Sequence, residues 1–430
     1  MSHHSYHPFA IYNRETPIGQ LPVELLSDIF HIGLQEYGLD DHHAIKYLCA
    51  ITSTCSAWRD TALGTPLLWQ RIIYKEPAIP KPNGRTIPRH TKDRLQAFLS
   101  RSKDCNLLLH LDLCASTLRA PAIKKIVYPH LARCLAISLS FNAESDIKGF
   151  LPLPGDLCRL TEFTCISHSA DLYSQPRIFV EPQRVTLRKL TLDNACAPLS
   201  SIGTQGLQYV RLKRHYGAWP ECRTFISRCH SLTTLIISYY LPLDTDRPFA
   251  PFTLPNLIHL DILGFEMLRA SHTPNLQTLI IREGDNFDDT VIPIPSWTAL
   301  TTLIIMDTDM KTVEIISLLV LNPGIKRLIL SDCVGIHYMV QLLKGNDMGG
   351  AANIHGTTLL PSLSLLRVWQ STYLRRFQPL FAHRPTLRIE HGGPGQIPMN
   401  SKWRLKSSTR MMSLVSSGCV GNGRVQNRKL

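Results

Sequence analysis

The amino-acid sequence predicts an α/β solenoid, in which three N-terminal helices precede a curved parallel sheet. Near the N-terminus, apolar residues recur at spacings of three and four, as they do on one face of a helix. Further along, a short apolar template recurs at similar intervals, as in proteins built from stacked repeats. With 430 residues, 44% of them hydrophobic, the chain is long enough to bury a large core and to form more than one domain.

Three short helices are predicted near the N-terminus. Pro22 suits the first turn of a helix, because a missing N–H loses no hydrogen bond there. The apolar stripe of this first helix is formed by Leu21, Leu25, Leu26, Ile29 and Phe30. A second helix is predicted over residues 44–62. A third is predicted to begin at Pro66 and to carry Leu67, Leu68, Trp69, Ile72 and Ile73. The stripes alone also fit a small amphipathic bundle that packs on its own domain.

The order of three segments in this region resembles an F-box. The segments read LPVELLSDIF at residues 21–30, CSAWRD at 55–60 and TPLLW at 65–69. The resemblance covers residues 17–74 and implies a three-helix module that docks its protein onto the Skp-type adaptor of a cullin ubiquitin ligase. It also implies that this chain carries out no catalysis. The residues that it implies for adaptor binding are Leu21, Pro22, Leu25, Leu26, Ile29, Phe30, Trp58, Leu68 and Trp69.

The body of the chain repeats the template L-x-x-L-x-L, with any apolar residue allowed at its three fixed positions. The template starts at residues 108, 134, 160, 187, 207, 232, 257, 276, 300, 325 and 363. Most intervals between starts fall within the 20–29 residues typical of leucine-rich repeats. Turn residues precede several starts, as Pro255 and Asn256 precede Leu257. The pattern predicts irregular leucine-rich repeats over residues 91–392, with an ordinary α/β domain of buried parallel strands as the alternative.

The segments around the repeats differ from them in composition. Residues 75–90 contain four prolines and a glycine, which is typical of a semi-rigid linker. Residues 1–16 and 393–430 are predicted to be disordered. From residue 397 to the end there are seven basic and no acidic residues, so this tail supplies about half of the net charge of +13. Within the repeats, residues 312–321 predict a helix between two strands.

The residues between the buried template positions are predicted to point to the concave face of the sheet, because side chains alternate along a strand. The residues predicted to bind a substrate on this face are Arg211, Ile236, Ile280, Ile304, Ile329, Arg367 and Trp369. An exposed apolar stripe commonly marks a partner surface, and Trp and Arg are typical interface anchors. The alternatives are that a loop or the tail covers these isoleucines, or that the strand register is wrong by one residue.

Composition and missing motifs exclude several classes of function. Twelve cysteines are scattered without a C-x-x-C, which favours reduced thiols in the cytoplasm or nucleus over a disulfide framework. No run approaches the ~18–20 apolar residues of a membrane span, and no secretory signal is visible. The chain lacks the motifs G-x-S-x-G, H-E-x-x-H and G-x-G-x-x-G and a P-loop, so no catalytic, cofactor-binding or metal-binding residue is predicted. The histidine and aspartate groups considered for metal binding are His3, His4, His7, His42, His43, Asp285, Asp288 and Asp289.

The order of F-box segments, linker and repeats resembles that of F-box/leucine-rich-repeat proteins, and this resemblance implies an adaptor that links a protein substrate to a Skp-type subunit and, through it, to a cullin and a RING subunit. Two alternatives remain. In the first, the repeats form a binding scaffold that has no ligase role, and the helical module caps them. In the second, the basic tail binds nucleic acid together with Lys189, Arg211 and Lys213.

Overall fold

The computed structural model describes residues 16–37, 43–75, 89–114, 120–142, 150, 153, 157–168, 187–195, 199–214, 219–238, 252–263, 268, 271–282, 295–308, 313–344, 359–369, 380, 384 and 386–391. Most of the predicted linker, the predicted N-terminal segment up to residue 15 and the predicted tail lie outside these residues.

Three helices begin the described chain: α1 (Val23–Gln35), α2 (His43–Thr54) and α3 (Ser56–Gly64). Pro22 is the N-cap of α1 rather than a residue of its first turn. The predicted single helix over residues 44–62 is two helices, because Cys55 adopts an extended conformation (φ −155°, ψ 172°) between α2 and α3. The carbonyl of Cys55 still accepts a hydrogen bond from the N–H of Arg59, 3.0 Å away, and so starts α3.

The prediction of a third helix through Ile72 and Ile73 is wrong. Residues Pro66–Trp69 form a short 3-10 helix, and strand β1 (Arg71–Lys75) follows. Strand β1 pairs in parallel with strand β2 (Leu107–Asp112). Both isoleucines are buried there, and β-branched residues suit a strand once a pairing partner is present. The chain therefore passes from the helical module directly into the sheet.

Within the described residues, thirteen parallel strands form one sheet whose order follows the chain. After β1 and β2, its strands are β3 (Cys134–Phe141), β4 (Glu162–Ser167), β5 (Lys189–Asp193), β6 (Tyr209–Lys213), β7 (Thr234–Ser238), β9 (His259–Leu263), β11 (Thr278–Arg282), β12 (Thr302–Met306), β13 (Arg327–Ser331), β14 (Leu365–Trp369) and β15 (Arg388–His391). The short strands β8 (Phe252–Thr253) and β10 (Ser271–His272) pair with each other.

Five α-helices lie along the described part of the chain after the N-terminal module: α4 (Arg89–Arg101), α5 (Ala120–Val127), α6 (Trp219–Ser227), α7 (Val313–Leu321) and α8 (Ile336–Leu343). Two short 3-10 helices, Tyr128–Arg133 and Leu199–Ser201, accompany them. Helix α7 confirms the helix predicted over residues 312–321. Helices α5 and α8 carry buried apolar residues, among them Ile123 and Met339, which pack in the same core as the sheet.

One face of the sheet forms the core. In every template match from residue 134 onward, the residues at the second and third fixed positions are buried. The equivalent positions of adjacent strands are register partners, as Leu190 is of Val210. The first match is wrong in register, because Leu111 pairs with Leu139 rather than with Ile137. Period-2 alternation sets this face, since a parallel strand exposes alternate residues to opposite sides.

A recurring turn follows several strands. Asn194, Arg214 and Asp307 directly follow β5, β6 and β12, and each has a left-handed backbone with φ of 53°, 50° and 53°. Their N–H groups donate to the carbonyl of the last residue of the next strand, at 2.7, 2.8 and 2.9 Å. The same turn therefore fixes neighbouring strands to each other at the same edge of the sheet.

The helical module is fixed to the sheet by buried contacts. The side chain of Arg71 is buried, and its Nη1 donates to the carbonyl of Tyr37, 2.6 Å away. The ring of Trp69 packs edge-on against Phe98 of α4 at a centroid distance of 4.9 Å. The guanidinium of Arg101 lies 4.5 Å above the Trp69 ring. The module and the first strands thus share one core.

Candidate functional site

Helix α1 has a buried face that holds the module together. Leu26, Phe30 and Leu34 are 4%, 2% and 1% exposed, and their spacing of four places them on one side of the helix. The ring of Phe30 meets that of Trp58 edge-on, with centroids 5.0 Å apart. This face is the one that packs against the rest of the module.

A different face of α1 leaves apolar side chains in water. Leu25, Ile29 and Ile32 are 52%, 47% and 61% exposed, and Val23 at the start of the helix is 59% exposed. Ten large apolar side chains are exposed in the described part of the chain, and six belong to residues 18–67. We call these six the apolar surface of the module: Ile18, Val23, Leu25, Ile29, Ile32 and Leu67. So dense a set of exposed apolar groups is typical of a partner surface.

The structure divides the nine residues predicted for adaptor binding into three groups. Exposed residues are Pro22, Leu25 and Ile29; half-buried residues are Leu21 and Trp58; buried residues are Leu26, Phe30, Leu68 and Trp69. The prediction of one apolar stripe is therefore wrong, because the apolar residues of α1 lie on two faces. Sequence reasoning missed Val23 and Ile32, although the spacing of Leu25, Ile29 and Ile32 would have been a signal for a second face.

A groove of about 690 Å³ lies beside the apolar surface, between α1 and α3. Its walls are Val23, Glu24, Ser27, Asp28, His31, Ala57, Asp60, Thr61, Gly64, Thr65 and Leu67. The hydroxyls of Ser27 and Thr65 share a hydrogen bond of 2.9 Å that ties α1 to the segment after α3. Three carboxylates and several small or apolar groups make the groove suited to an apolar segment with basic residues nearby.

The second face of the sheet carries the residues predicted for substrate binding. We call it the open face. Neighbouring strands place one row of register partners across it: Thr191, Arg211, Ile236, Asp261, Ile280, Ile304, Ile329, Arg367 and Glu390. Trp369 lies in the next row, where it pairs with Ser331. The register predicted for these strands is confirmed.

The basic residues of the open face are paired with carboxylates. The Nζ of Lys189 lies 3.2 Å from Glu162, and Arg282 donates twice to Asp261, at 2.7 and 2.9 Å. Arg367 donates from Nε to Glu390 at 2.6 Å and lies over the Trp369 ring. Acidic side chains on adjacent strands therefore compensate much of the positive charge on this face.

The apolar part of the open face is only partly accessible. Ile236, Ile280 and Ile304 are half-buried, whereas Ile329 is 3% exposed. Ile329 lies in the same row of the open face but is covered there, so the accessible part of the predicted apolar stripe ends at Ile304.

Arg211 and Lys213 differ from the other cations, because they share the single carboxylate of Asp193. The distances are 4.0 Å from Arg211 Nη2 and 3.6 Å from Lys213 Nζ. Both are longer than a hydrogen bond. Next to them, burial raises the pKa of Tyr209, although a hydrogen bond from Arg211 opposes the rise.

Four buried cysteines have the properties of structural thiols. The ten cysteines that the structure describes form no disulfides. Burial raises the pKa of Cys134, Cys165 and Cys229 to about 12 and that of Cys333 to about 11. These thiols are protonated at neutral pH, which is unsuited to a nucleophile or a metal ligand.

Among the described residues, no three His, Cys, Asp or Glu side chains lie together as a metal site requires. The histidines at positions 3, 4, 7 and 42 and the acidic segment at 285–289 lie outside the described residues. No helix in the described ranges is both long enough and apolar enough to cross a bilayer.

Comparison with known families identifies the N-terminal module. A family model described as F-box-like matches residues 18–75. The matched residues include α1 to α3, the 3-10 helix and β1. No curated protein matches the chain. The chain therefore carries an F-box-like domain, and the strands after β1 are not part of that match.

Proposed function

We propose that this chain is the substrate-recognition subunit of a Skp–cullin–F-box ubiquitin ligase and performs no catalytic step itself. The observation that carries the proposal is the apolar surface on a module that matches an F-box-like family. The module would bind a Skp-type adaptor, which connects it to the cullin and the RING subunit. A conjugating enzyme on the RING subunit would transfer ubiquitin, and the chain would contribute by holding the substrate nearby.

Adaptor binding in this proposal is mainly hydrophobic. Complete burial of a Leu or Ile side chain is worth roughly 1.5–3 kcal/mol. Since Leu25, Ile29 and Ile32 are about half exposed, covering each of them contributes about 1 kcal/mol. Leu21 and Pro22 would extend the contact at the start of α1, and the acidic groove would accept basic groups of the adaptor. The buried residues Leu26 and Phe30 would act through the fold of the module rather than by contact.

The sheet would present the substrate surface. We propose that its strands belong to irregular leucine-rich repeats stacked as a solenoid, with the open face as the concave side. Three observations support this: the strand order follows the chain, one buried position repeats from strand to strand, and the same left-handed turn follows several strands. Arg367 and Trp369 would then lie near the C-terminal end of the recognition surface.

A pull-down with a co-expressed Skp-type adaptor tests the proposal. The double variant Leu25→Asp/Ile29→Asp places two charges on the apolar surface and should reduce adaptor capture by more than tenfold. Val334→Asp is the matched control, because Val334 is 64% exposed but lies outside the module. This control should bind like wild type. Circular dichroism and thermal melting show that each variant is folded. Failure of the folded wild-type chain to bind would overturn the proposal.

A scaffold without ligase function is the second candidate, and one observation favours it. Strand β1 of the module is the first strand of the sheet and covers the edge of β2. A stacked sheet needs such an end cap, so the module has a structural role whether or not it binds an adaptor. The same pull-down separates the two functions, since a cap alone gives no capture.

We propose a reducing compartment, the cytoplasm or nucleus, as the location. The support is that the ten described cysteines form no disulfide and that several of them are buried in apolar surroundings.

A further inference from the structure

Buried polar atoms without partners concentrate at one place on the open face. Five buried side-chain N or O atoms in the described part of the chain have no hydrogen-bond partner. Three of them are Thr191 Oγ1, Arg211 Nε and His259 Nδ1, on strands β5, β6 and β9. Thr191 is only 6% exposed. A folded protein rarely leaves buried donors and acceptors unpaired, because each one costs free energy.

These three groups belong to one connected set of side chains. Thr191 and Arg211 are register partners on adjacent strands. Arg211 donates a hydrogen bond to the hydroxyl of Tyr209. Besides burial, the negative charge of Asp261 also acts on Tyr209 and raises the pKa of its hydroxyl. His259 interacts with Asp261 and Arg282, and burial lowers the pKa of its imidazole. We call Thr191, Tyr209, Arg211, Lys213 and His259 the Arg211 cluster.

The cluster has unused positive charge. On strands β4 to β11, the described ion pairs join four cations to three carboxylates. The surplus lies at Arg211 and Lys213, since both depend on Asp193 and neither is within hydrogen-bond distance of it. Arg282 shows the contrast, because Asp261 satisfies it with two short bonds. The side chains of Arg211 and Lys213 are 29% and 35% exposed, so a group from outside reaches them.

We propose that the Arg211 cluster binds a carboxylate side chain of a partner peptide. This inference rests on the proposed function, which makes the partner a protein. Arg211 and Lys213 supply charged donors, and Thr191 supplies a hydroxyl beside them. Such charge-assisted hydrogen bonds are short and specific. A surplus of one positive charge matches one monoanion, which selects a Glu or Asp side chain over a phosphoryl group with about two negative charges.

A peptide array tests the assignment directly. Peptides of random sequence are printed in three matched forms that differ at one position only: Glu, Gln or phosphoserine. The full chain should bind Glu forms at least about tenfold more tightly than Gln forms. Arg211→Gln should remove that preference. Arg228→Gln removes the same charge from an exposed residue that follows α6, and it should keep the preference. Equal binding of Glu and Gln forms, no binding of either, or a stronger preference for phosphoserine would each overturn the proposal.

A second variant separates recognition from folding. Thr191→Val keeps the shape of the side chain and removes the unpaired hydroxyl. Because that hydroxyl has no hydrogen-bond partner among the described residues, the melting temperature should stay the same or rise. Binding of the Glu peptides should nevertheless weaken several-fold. If the variant melts lower and binds normally, the hydroxyl has a structural role instead.

The failure of this inference is distinguishable from failure of the proposed function. Arg211→Gln leaves the apolar surface of the module unchanged and should capture the Skp-type adaptor like wild type. If the wild-type chain does not capture the adaptor, the ligase role is refuted, but the preference for Glu peptides on the array is unaffected. Loss of the Glu preference with normal adaptor capture would remove only the carboxylate site.

Discussion

The F-box-like module and the open face of the sheet expose opposite kinds of surface. On the module, apolar side chains such as Leu25 and Ile32 are exposed to water. On the open face, charged side chains such as Asp261 and Arg282 are already paired within the chain. The first surface leaves apolar side chains exposed, whereas most charges of the second are paired with each other.

This difference indicates two modes of binding. Interfaces of permanent complexes are rich in apolar groups, because burial of apolar area gives affinity without needing a precise hydrogen-bond geometry. A surface of paired charges gives selectivity instead, since a partner must offer groups that match those already present. Under the proposed function, the module would therefore suit a constant adaptor, and the open face would suit a chosen substrate.

The largest change in stability is expected for a substitution on the buried face of α1, and a substitution on its exposed face is the comparison. Phe30→Ala removes a ring that is 2% exposed and packs on Trp58. Such a change should cost about 3–5 kcal/mol of unfolding free energy. Leu25→Ala, on the exposed face, should cost under about 1 kcal/mol. Urea denaturation of both variants measures the difference, and similar losses would mean that the two faces of α1 are not distinct.

A smaller effect is expected where the two regions meet. Arg71→Met keeps an unbranched side chain but removes the donor that holds the carbonyl of Tyr37 at 2.6 Å. Loss of this buried charged hydrogen bond should cost about 1.5–3 kcal/mol. Hydrogen exchange should show faster opening of α1 and β1. Arg89→Met, at a side chain that is 94% exposed, serves as the control and should exchange like wild type.

The two acidic pairs of the open face should differ in strength. Asp261→Asn weakens two hydrogen bonds to Arg282 and should cost about 1–2 kcal/mol, reduced by the 39% exposure of Arg282. Asp193→Asn breaks only long contacts and should cost under about 1 kcal/mol. Thermal melting compares them. A larger loss for Asp193→Asn would contradict the view that Arg211 is loosely held.

The smallest effect concerns pH at the last strand. A hydrogen bond from Arg367 lowers the pKa of Glu390 below its usual value. The stability that this carboxylate contributes is therefore present above its unfolded pKa and is lost as pH falls through the folded pKa. Wild type should melt slightly higher than Glu390→Gln at pH 7. The two curves should converge in acid below the ordinary range of Glu, and a difference that persists there would refute the pairing.

Local sequence pattern was enough to locate most of the sheet. Residues such as Leu190 and Leu192 alternate with polar neighbours, and this alternation alone selects the side of a strand that is buried. The row that includes Arg211 and Arg367 followed from the same period. The first match failed because Leu107, Leu108 and Leu109 are consecutive leucines, so alternation there does not distinguish one face from the other.

The sequence by itself thus determined the repeating strands, their common register and the presence of an amphipathic N-terminal module, because all of these depend on local periodicity. Only the tertiary structure decided which apolar residues of α1 remain exposed, since Leu25 and Leu26 are equivalent until neighbouring helices cover one of them. It also decided that Ile72 and Ile73 form a strand, because β2 lies beside them. The pairing of charges across strands is likewise a matter of distance in space, which no spacing along the chain encodes.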